Sequence, residues 1–226
     1  MTEIALLGCG KIGAMICQLL LDSGDYTVTA IDSAQSNLDR LNPSAALTRL
    51  CLDVSEAAAL SDALQGHYAV LSACPFYLTG TIAGAARAAG VHYLDLTEDV
   101  QSTRQVRALA EGADTAFIPQ CGLAPGFISI VAHSMCSKFD ELENVRLRVG
   151  ALPRYPTNSL TYNLTWSTDG LINEYCEPCQ SIMDGELVTM PSLTQRREFS
   201  LEAVSYTHLT LPTTCTPCRC RWGPGE

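Results

Sequence analysis

The tightest constraint on what this chain can fold into is the string Gly8-Cys9-Gly10-Lys11-Ile12-Gly13. It is a G-x-G-x-x-G set between an apolar run at residues 4–7 and a helical pattern at residues 14–21. Where a strand turns into a helix, three glycines at this spacing do separable jobs. Gly8 permits the tight turn, Gly10 lets a phosphate approach the backbone, and Gly13 lets the helix lie close to the strand it follows. The N–H groups of the first helical turn then face an anion. Lys11 and Ile12 lie inside the same loop and join the glycines as candidate phosphate-binding residues. Alone the motif is common, and its flanks make it specific. A second strand-like run, residues 26–31, ends on Asp32. A carboxylate at that position accepts hydrogen bonds from a ribose 2′-hydroxyl and repels a 2′-phosphate. The first arginine to follow, Arg40, comes about two helical turns later. Together these features predict a dinucleotide cofactor, NAD in preference to NADP.

The rest of the first half repeats the same grammar. Residues 33–41 read as a polar turn and short helix closed by Asn42-Pro43, and residues 47–52 as a third strand ending at Asp53-Val54. A carboxylate there is placed to accept from the adenine amino group, so Asp53 and Val54 enter the candidate cofactor set. Asp53 reads equally well as the N-cap of a helix over 56–64. Residues 67–73 form a fourth strand closing at Cys74-Pro75. Its last residues, Ser72 and Ala73, are small enough for a dinucleotide to lie against the backbone. A helix over 81–89 stops at Gly90, and a fifth strand over 91–96 runs into Thr97-Glu98-Asp99 and a helix over 102–111. A sixth strand, 115–119, leads into Gln120-Cys121-Gly122, which brings Cys121 and Gly122 to the cofactor edge. This alternation predicts the α/β class, with a Rossmann doubly wound parallel sheet followed by an incomplete α+β substrate domain. In the second part, residues 127–135 read as an apolar helix and residues 168–175 as a capped one. Alternating residues 144–150 and 160–166 read as half-exposed strands. The expected domains are 1–125 for NAD binding, 126–204 for a partial substrate domain, and 205–226 as a separate tail.

Charge and cysteine usage narrow the function classes. A net charge of −10 over 226 residues argues against nucleic acid or an anionic membrane surface as partner. Glycines and Lys11 break the N-terminal apolar stretch, so it reads as neither a signal peptide nor a membrane span. Most of the eleven cysteines sit singly inside apolar elements, which fits free thiols in a reducing cytoplasm. Cys176-x-x-Cys179 and Cys215-x-x-Cys218 are too far apart for a usual zinc ribbon, and no metal is expected.

Several segments together resemble the saccharopine dehydrogenase-like family. They are the glycine motif, Val70-Leu71-Ser72-Ala73-Cys74-Pro75, Tyr93-Leu94-Asp95-Leu96, Cys121-Gly122-Leu123-Ala124-Pro125-Gly126, and Trp166-Ser167-x-x-Gly170-Leu171-Ile172-Asn173-Glu174-Tyr175. The nearest likeness is to the lysine 6-dehydrogenase branch, over residues 1–204. The resemblance implies hydride exchange between a nicotinamide and the amine-bearing carbon of a lysine- or saccharopine-like amino acid. It also implies a homo-oligomeric full-length parent, and a substrate wall containing Trp166, Ser167, Asn173, Glu174 and Tyr175. After residue 204 the likeness ends in a Ser-Tyr-Thr-His-Leu-Thr-Leu-Pro-Thr string that looks like translated sequencing adapter. The expectation is therefore a truncated, impaired enzyme with an unrelated, disordered tail.

Hydride transfer of this kind needs one proton acceptor near the C-terminal ends of the fourth to sixth strands. Glu98 and Asp95 are the candidates, with a helix N-cap as the competing role for Glu98. Tyr77 either faces the substrate cleft or packs as an aromatic. Cys121 reads as a nucleophile or, with no histidine partner indicated, as a small packing residue. His92 and His133 read as structural. Arg148 and Arg154 read as solvated in preference to meeting a substrate carboxylate. The alternative to an enzyme is a non-catalytic NAD-binding module that senses redox state and acts through a protein partner.

Overall fold

Successive residues of β1 (Thr2–Leu7) point to opposite faces of the sheet, and both faces are apolar: Leu6 and Leu7 are each fully buried. A strand covered on both sides belongs to a parallel sheet flanked by helices, and that is the architecture found. The structure, a computed structural model, describes residues 1–149, 157, 159, 168–192 and 194. The chain divides into two compact units, Met1–Gly122 and the part from Leu123 onward.

In the first unit β1 is followed by α1 (Lys11–Ser23), β2 (Tyr26–Asp32), α2 (Gln35–Asp39), β3 (Leu47–Cys51), α3 (Ala57–Leu64) and β4 (Ala69–Ser72). After a single 3-10 turn come α4 (Thr79–Ala89), β5 (His92–Asp95), α5 (Val100–Ala110) and β6 (Phe117–Ile118). All strands pair in parallel, in the order β3-β2-β1-β4-β5-β6. The chain therefore reverses its direction of winding between β1 and β4, the switch point at whose C-terminal edge ligands bind in such sheets. One core joins Leu7, Val70 and Tyr93 to Leu60 and Leu64 of α3, Ile82 and Ala86 of α4, and Val106 of α5. The other joins Leu6, Val28 and Ala30 to Cys17 of α1 and to Leu38 and Leu41. Each fully buried Leu, Ile or Val in these layers contributes about 1.5–3 kcal/mol by leaving water. That anchoring fixes the strand ends from which the site is built.

Element boundaries differ from the sequence expectation in instructive ways. The short helix after Asp32 is only Gln35–Asp39, because Ser33 and Ala34 are used in the turn that wraps the Asp32 carboxylate. Asp53 is not an N-cap; its Oδ1 accepts from the N–H and Oγ of Ser55, and Glu56 precedes α3. Gly90 ends α4 in the left-handed conformation expected of it.

The described part of the second unit contains α6 (Phe127–Cys136), α7 (Thr168–Cys176) and an antiparallel hairpin of β7 (Cys179–Met183) with β8 (Glu186–Met190). Residues 144–149 form no strand; their alternation lacks a pairing partner among the described residues. The stretch 160–166 and the whole of 205–226 lie outside the described residues. The hairpin went unread in the sequence although Asp184-Gly185 signals it: both residues take positive φ, 52° and 81°, as a two-residue hairpin turn requires. No helix among the described residues is long and apolar enough to cross a membrane.

Candidate functional site

The three glycines of the first loop are not equivalent. Gly8 has φ +83°, and a Cβ there would lie 2.9 Å from the Ala73 carbonyl oxygen at the end of β4. A Cβ on Gly13 would lie 1.7 Å from the Gly8 carbonyl oxygen, an impossible contact. Both are consumed by the packing of loop, helix and strand. Gly10 has negative φ, and the Cβ it lacks would meet nothing within 4 Å. The absent methyl is therefore not demanded by the protein itself. Open space above a backbone at the start of a helix that no side chain caps is what a pyrophosphate needs, so the residues present fit a dinucleotide.

Asp32 closes the loop on its other side. The Cys9 N–H donates to Oδ2 at 2.7 Å, the Ala34 N–H to Oδ1 at 2.8 Å, and Asn37 Nδ2 to both oxygens at 3.2 and 3.1 Å. The residue is 8% exposed. Burial, with the nearby Asp32 charge, pushes the Cys9 thiol up to about 12, and burial pushes Cys74 up to about 11. Both remain protonated at neutral pH and act as small apolar fillers beneath the loop.

A second carboxylate organises the other half of the edge. Asp95, the last residue of β5, is 2% exposed. Its Oδ2 accepts from Tyr93 Oη at 2.7 Å, and its Oδ1 accepts from the N–H groups of Thr97 at 3.0 Å and Gln120 at 2.9 Å. Its carbonyl accepts the Cys121 N–H at 2.7 Å. Asp95 thus ties the exit of β5 to the exit of β6 and holds Gln120 at φ +64°, a conformation that costs a non-glycine residue about 1 kcal/mol or more. Glu98 lies in the loop just beyond. Desolvation raises its pKa above the ordinary glutamate value, and the charges of Asp99 and Asp95 push the same way. The N-cap of α5 is Asp99, whose Oδ2 accepts the Ser102 N–H at 2.6 Å. Glu98 is therefore not the cap.

Comparison with known proteins shows the family of the chain. Residues 4–117 match the family model of the saccharopine dehydrogenase NADP binding domain, and residues 122–218 match that of the saccharopine dehydrogenase C-terminal domain. The chain belongs to the saccharopine dehydrogenase family. The second match runs past residue 204 to residue 218, so the family likeness does not stop at residue 204. The alpha-aminoadipic semialdehyde synthase, mitochondrial, of Bos taurus is 22% identical over 193 residues, covering 82% of this chain and 21% of its own. The Mus musculus protein of the same name is 20% identical over 195 residues, covering 83% and 21%. This chain spans about a fifth of the length of these relatives. Among solved structures, the apo saccharopine dehydrogenase (L-Glu forming) from Saccharomyces cerevisiae superposes with a TM-score of 0.67. It is 18% identical, over 89% of this chain and 47% of that one, which supports the fold.

Within this family framework the sequence-derived candidates fall into three groups. Gly8, Gly10, Lys11, Ile12, Gly13 and Asp32 come together at the β1–α1 and β2 exits, with Lys11 and Ile12 exposed. Ser72 and Ala73 line the same edge at β4, although Ala73 faces the glycine loop, where Gly8 sits against its carbonyl. Glu98, Asp95, Cys121 and Gly122 share the β5–β6 edge. There Asp95 is walled in by its donors, which gives it a holding task, and burial raises its pKa from the ordinary aspartate value. Cys121 donates its thiol to the Ile118 carbonyl at 3.1 Å, and desolvation together with Asp95 raises its pKa, which suits a packing thiol better than a nucleophile. Tyr77 is 66% exposed and not a core aromatic.

One placement differs from expectation. Val54 is buried against the α3 and α4 side of the sheet, its apolar side chain gaining more from the core than from a solvent-facing cofactor edge. Asp53 is exposed, and its Ser55 N–H bond holds its carboxyl below the usual range. Trp166 and Ser167 lie outside the described residues. Asn173, Glu174 and Tyr175 lie on α7, where Tyr175 is half-buried and the side chains of the other two are not described. Among the described residues no group of three or more His, Cys, Asp or Glu side chains is placed to hold a metal ion. The contacts of Asn37 and Tyr93 carry no signal in the sequence, since they depend on which carboxylate each one meets in space.

Proposed function

We propose that this protein is an NAD-dependent oxidoreductase of the saccharopine and lysine dehydrogenase type, acting on the amine-bearing carbon of a lysine- or saccharopine-like amino acid. The observation that carries this reading is the open glycine loop at Gly10 beside Asp32, on the sheet edge that also carries Glu98, in a chain that matches the saccharopine dehydrogenase NADP binding domain. The nicotinamide, when bound, accepts the hydride that leaves the amine-bearing carbon. The chain supplies the rest. The Gly10 backbone and the first turn of α1 hold the pyrophosphate, and Asp32 takes the ribose hydroxyls, which favours NAD over NADP. Glu98 accepts the proton lost from the substrate nitrogen as the carbon–nitrogen double bond forms, and a carboxyl tuned toward neutrality is suited to that task. Asp95 holds the loops on which Glu98 and Cys121 sit.

The ionisable, partly desolvated Glu98 favours an enzyme over a non-catalytic redox-sensing module, whose cleft has no use for a tuned acid. A reducing cytoplasm is the proposed compartment, supported by eight free cysteines among the described residues. The proposed test is a spectrophotometric assay for reduced nicotinamide with NAD, lysine, saccharopine and a wider amino-acid panel, beside calorimetric NAD binding. In the full-length parent, NAD binding with no turnover on any amino acid refutes the enzyme reading. Equal affinity for NAD and NADP refutes the cofactor choice.

A further inference from the structure

We propose that Asn37 is a positioning residue for the adenosine ribose, standing in the free protein where the ribose diol goes and thereby setting the cost of binding it. The inference rests on the dinucleotide reading above. A carboxylate offers about four acceptor positions, and in Asp32 all four are spent. The Cys9 and Ala34 N–H groups take one on each oxygen at 2.7 and 2.8 Å. These are short backbone bonds, fixed as long as the glycine loop and the β2 turn are fixed. The Asn37 amide takes one more on each oxygen, at 3.2 and 3.1 Å, through a single nitrogen. This forked pair is long, depends on a rotatable side chain, and is the weakest part of the arrangement. Asp32 is 8% exposed, so solvent has little room to replace any donor that leaves.

Two ribose hydroxyls can therefore reach the two oxygens only by displacing Asn37, and displacing it vacates one position on each oxygen. The geometry matches donor for donor. Asn37 keeps the buried carboxylate satisfied when no nucleotide is present, where an unpaired acceptor would be costly, and it competes with the ribose when one arrives. A ligand lacking the 2′-hydroxyl lets the amide return and loses little. Once Asn37 is gone, nothing returns.

The test uses the full chain with adenosine diphosphate and 2′-deoxyadenosine diphosphate as probes, and reads the ratio of their dissociation constants by calorimetry. In the unmutated protein the missing hydroxyl should cost about 3-fold, and in Asn37→Ala about 10-fold or more, the range spanned by a compensated and an uncompensated bond to a charged acceptor. Adenosine diphosphate itself should bind Asn37→Ala more tightly. Gln35→Ala serves as the control: Gln35 is exposed on the same short helix and its side-chain amide donates to Asp39 Oδ1 at 2.9 Å, away from Asp32, so the ratio should stay at the unmutated value. A ratio in Asn37→Ala within twofold of the unmutated one overturns the inference. So does an equal weakening of both nucleotides, which marks a merely structural role. If NAD binds and the ratio does not move, this inference alone falls. If the unmutated chain binds neither NAD, NADP nor adenosine diphosphate, the cofactor reading falls with it.

Discussion

Alanine at Gly13 and alanine at Gly10 should produce opposite failures, and the structure gives the sizes. At Gly13 the new methyl would sit 1.7 Å from the Gly8 carbonyl oxygen and 2.9 Å from its carbon. The obstacle is backbone, in a residue that is itself held at φ +83° against the end of β4. It cannot swing aside as a side chain would. Ordinary contact requires more than 3 Å, so α1 must lift from β1 and take Cys17 out of its core, where it packs with Leu6 and Val28. Overpacking of this kind costs about 3 kcal/mol or more, a large share of a total stability of about 5–15 kcal/mol. At about 4 °C per kcal/mol for a domain of this size, the thermal midpoint should fall by about 12 °C or more. At Gly10 the new methyl meets nothing, and the backbone already has negative φ, so the midpoint should move by only a few degrees. The same methyl occupies the space reserved for the pyrophosphate and should weaken NAD at least tenfold, about 1.4 kcal/mol. Thermal denaturation and calorimetric NAD binding, run on both variants, separate the two roles. A Gly13→Ala protein of unmutated stability, or a Gly10→Ala protein of unmutated NAD affinity, refutes the division of labour argued from the loop geometry.

Three further outcomes are expected. Asp32→Ala should weaken NAD by about 1–3 kcal/mol, the scale of a hydrogen bond to a charged group, and relieve rejection of NADP; it should also lower stability, because the Cys9 and Ala34 N–H groups lose their acceptor. An unchanged NAD to NADP preference, read by calorimetry, refutes it. Asp99→Ala removes the N-cap of α5 and should cost about 1 kcal/mol in chemical denaturation; no change refutes the cap. Glu98 has a folded pKa raised by desolvation, so the folded state binds its proton more tightly than the unfolded one, and stability falls as pH rises from the ordinary glutamate range through the raised value. Glu98→Gln should therefore be at least as stable as the unmutated protein at neutral pH while abolishing the acidic limb of the activity profile; lower stability at neutral pH, or an unchanged limb, refutes the assignment.

What could be read from the sequence follows the range of the interaction involved. The glycine loop, the six parallel strands and the reversal after β3 were legible because each depends on neighbours a few residues apart: an apolar run, a glycine, a helical stripe. Asp32 was legible as a strand-end carboxylate, since spacing alone places it. Its partner Asn37 was not, because nothing in an asparagine five residues later says that its amide turns back onto the carboxylate. Asp95 shows the complementary limit. Spacing put it at the reactive edge, and that is where it lies, but the sequence could not reveal that Tyr93, Thr97 and Gln120 all donate to it. The alternation at residues 144–149 suggested a strand, yet among the described residues it has no partner to pair with, and alternation carries no information about partners.

The two carboxylates explain why this edge can be open where ligands bind and still hold its shape. A sheet edge built from short loops after β1, β2, β5 and β6 exposes many backbone N–H groups that no strand or helix satisfies. Asp32 gathers two of them, from Cys9 and Ala34, and Asp95 gathers two more, from Thr97 and Gln120. Each carboxylate thus pins one pair of loops, β1 with β2 and β5 with β6, leaving the Gly10 backbone between them clear. The two differ in their remaining donors. Tyr93, fully buried and part of the core, cannot leave Asp95. Asn37, half-buried on a helix of five residues, holds Asp32 through a rotatable side chain at 3.2 and 3.1 Å, the donor proposed above to yield to the ribose. A carboxylate whose last donor is fixed in the core is a structural pin, and one whose last donor is a mobile side chain is available to a ligand. That physical distinction supports the proposal of the ribose at Asp32 and of Glu98, beside Asp95, as the proton acceptor.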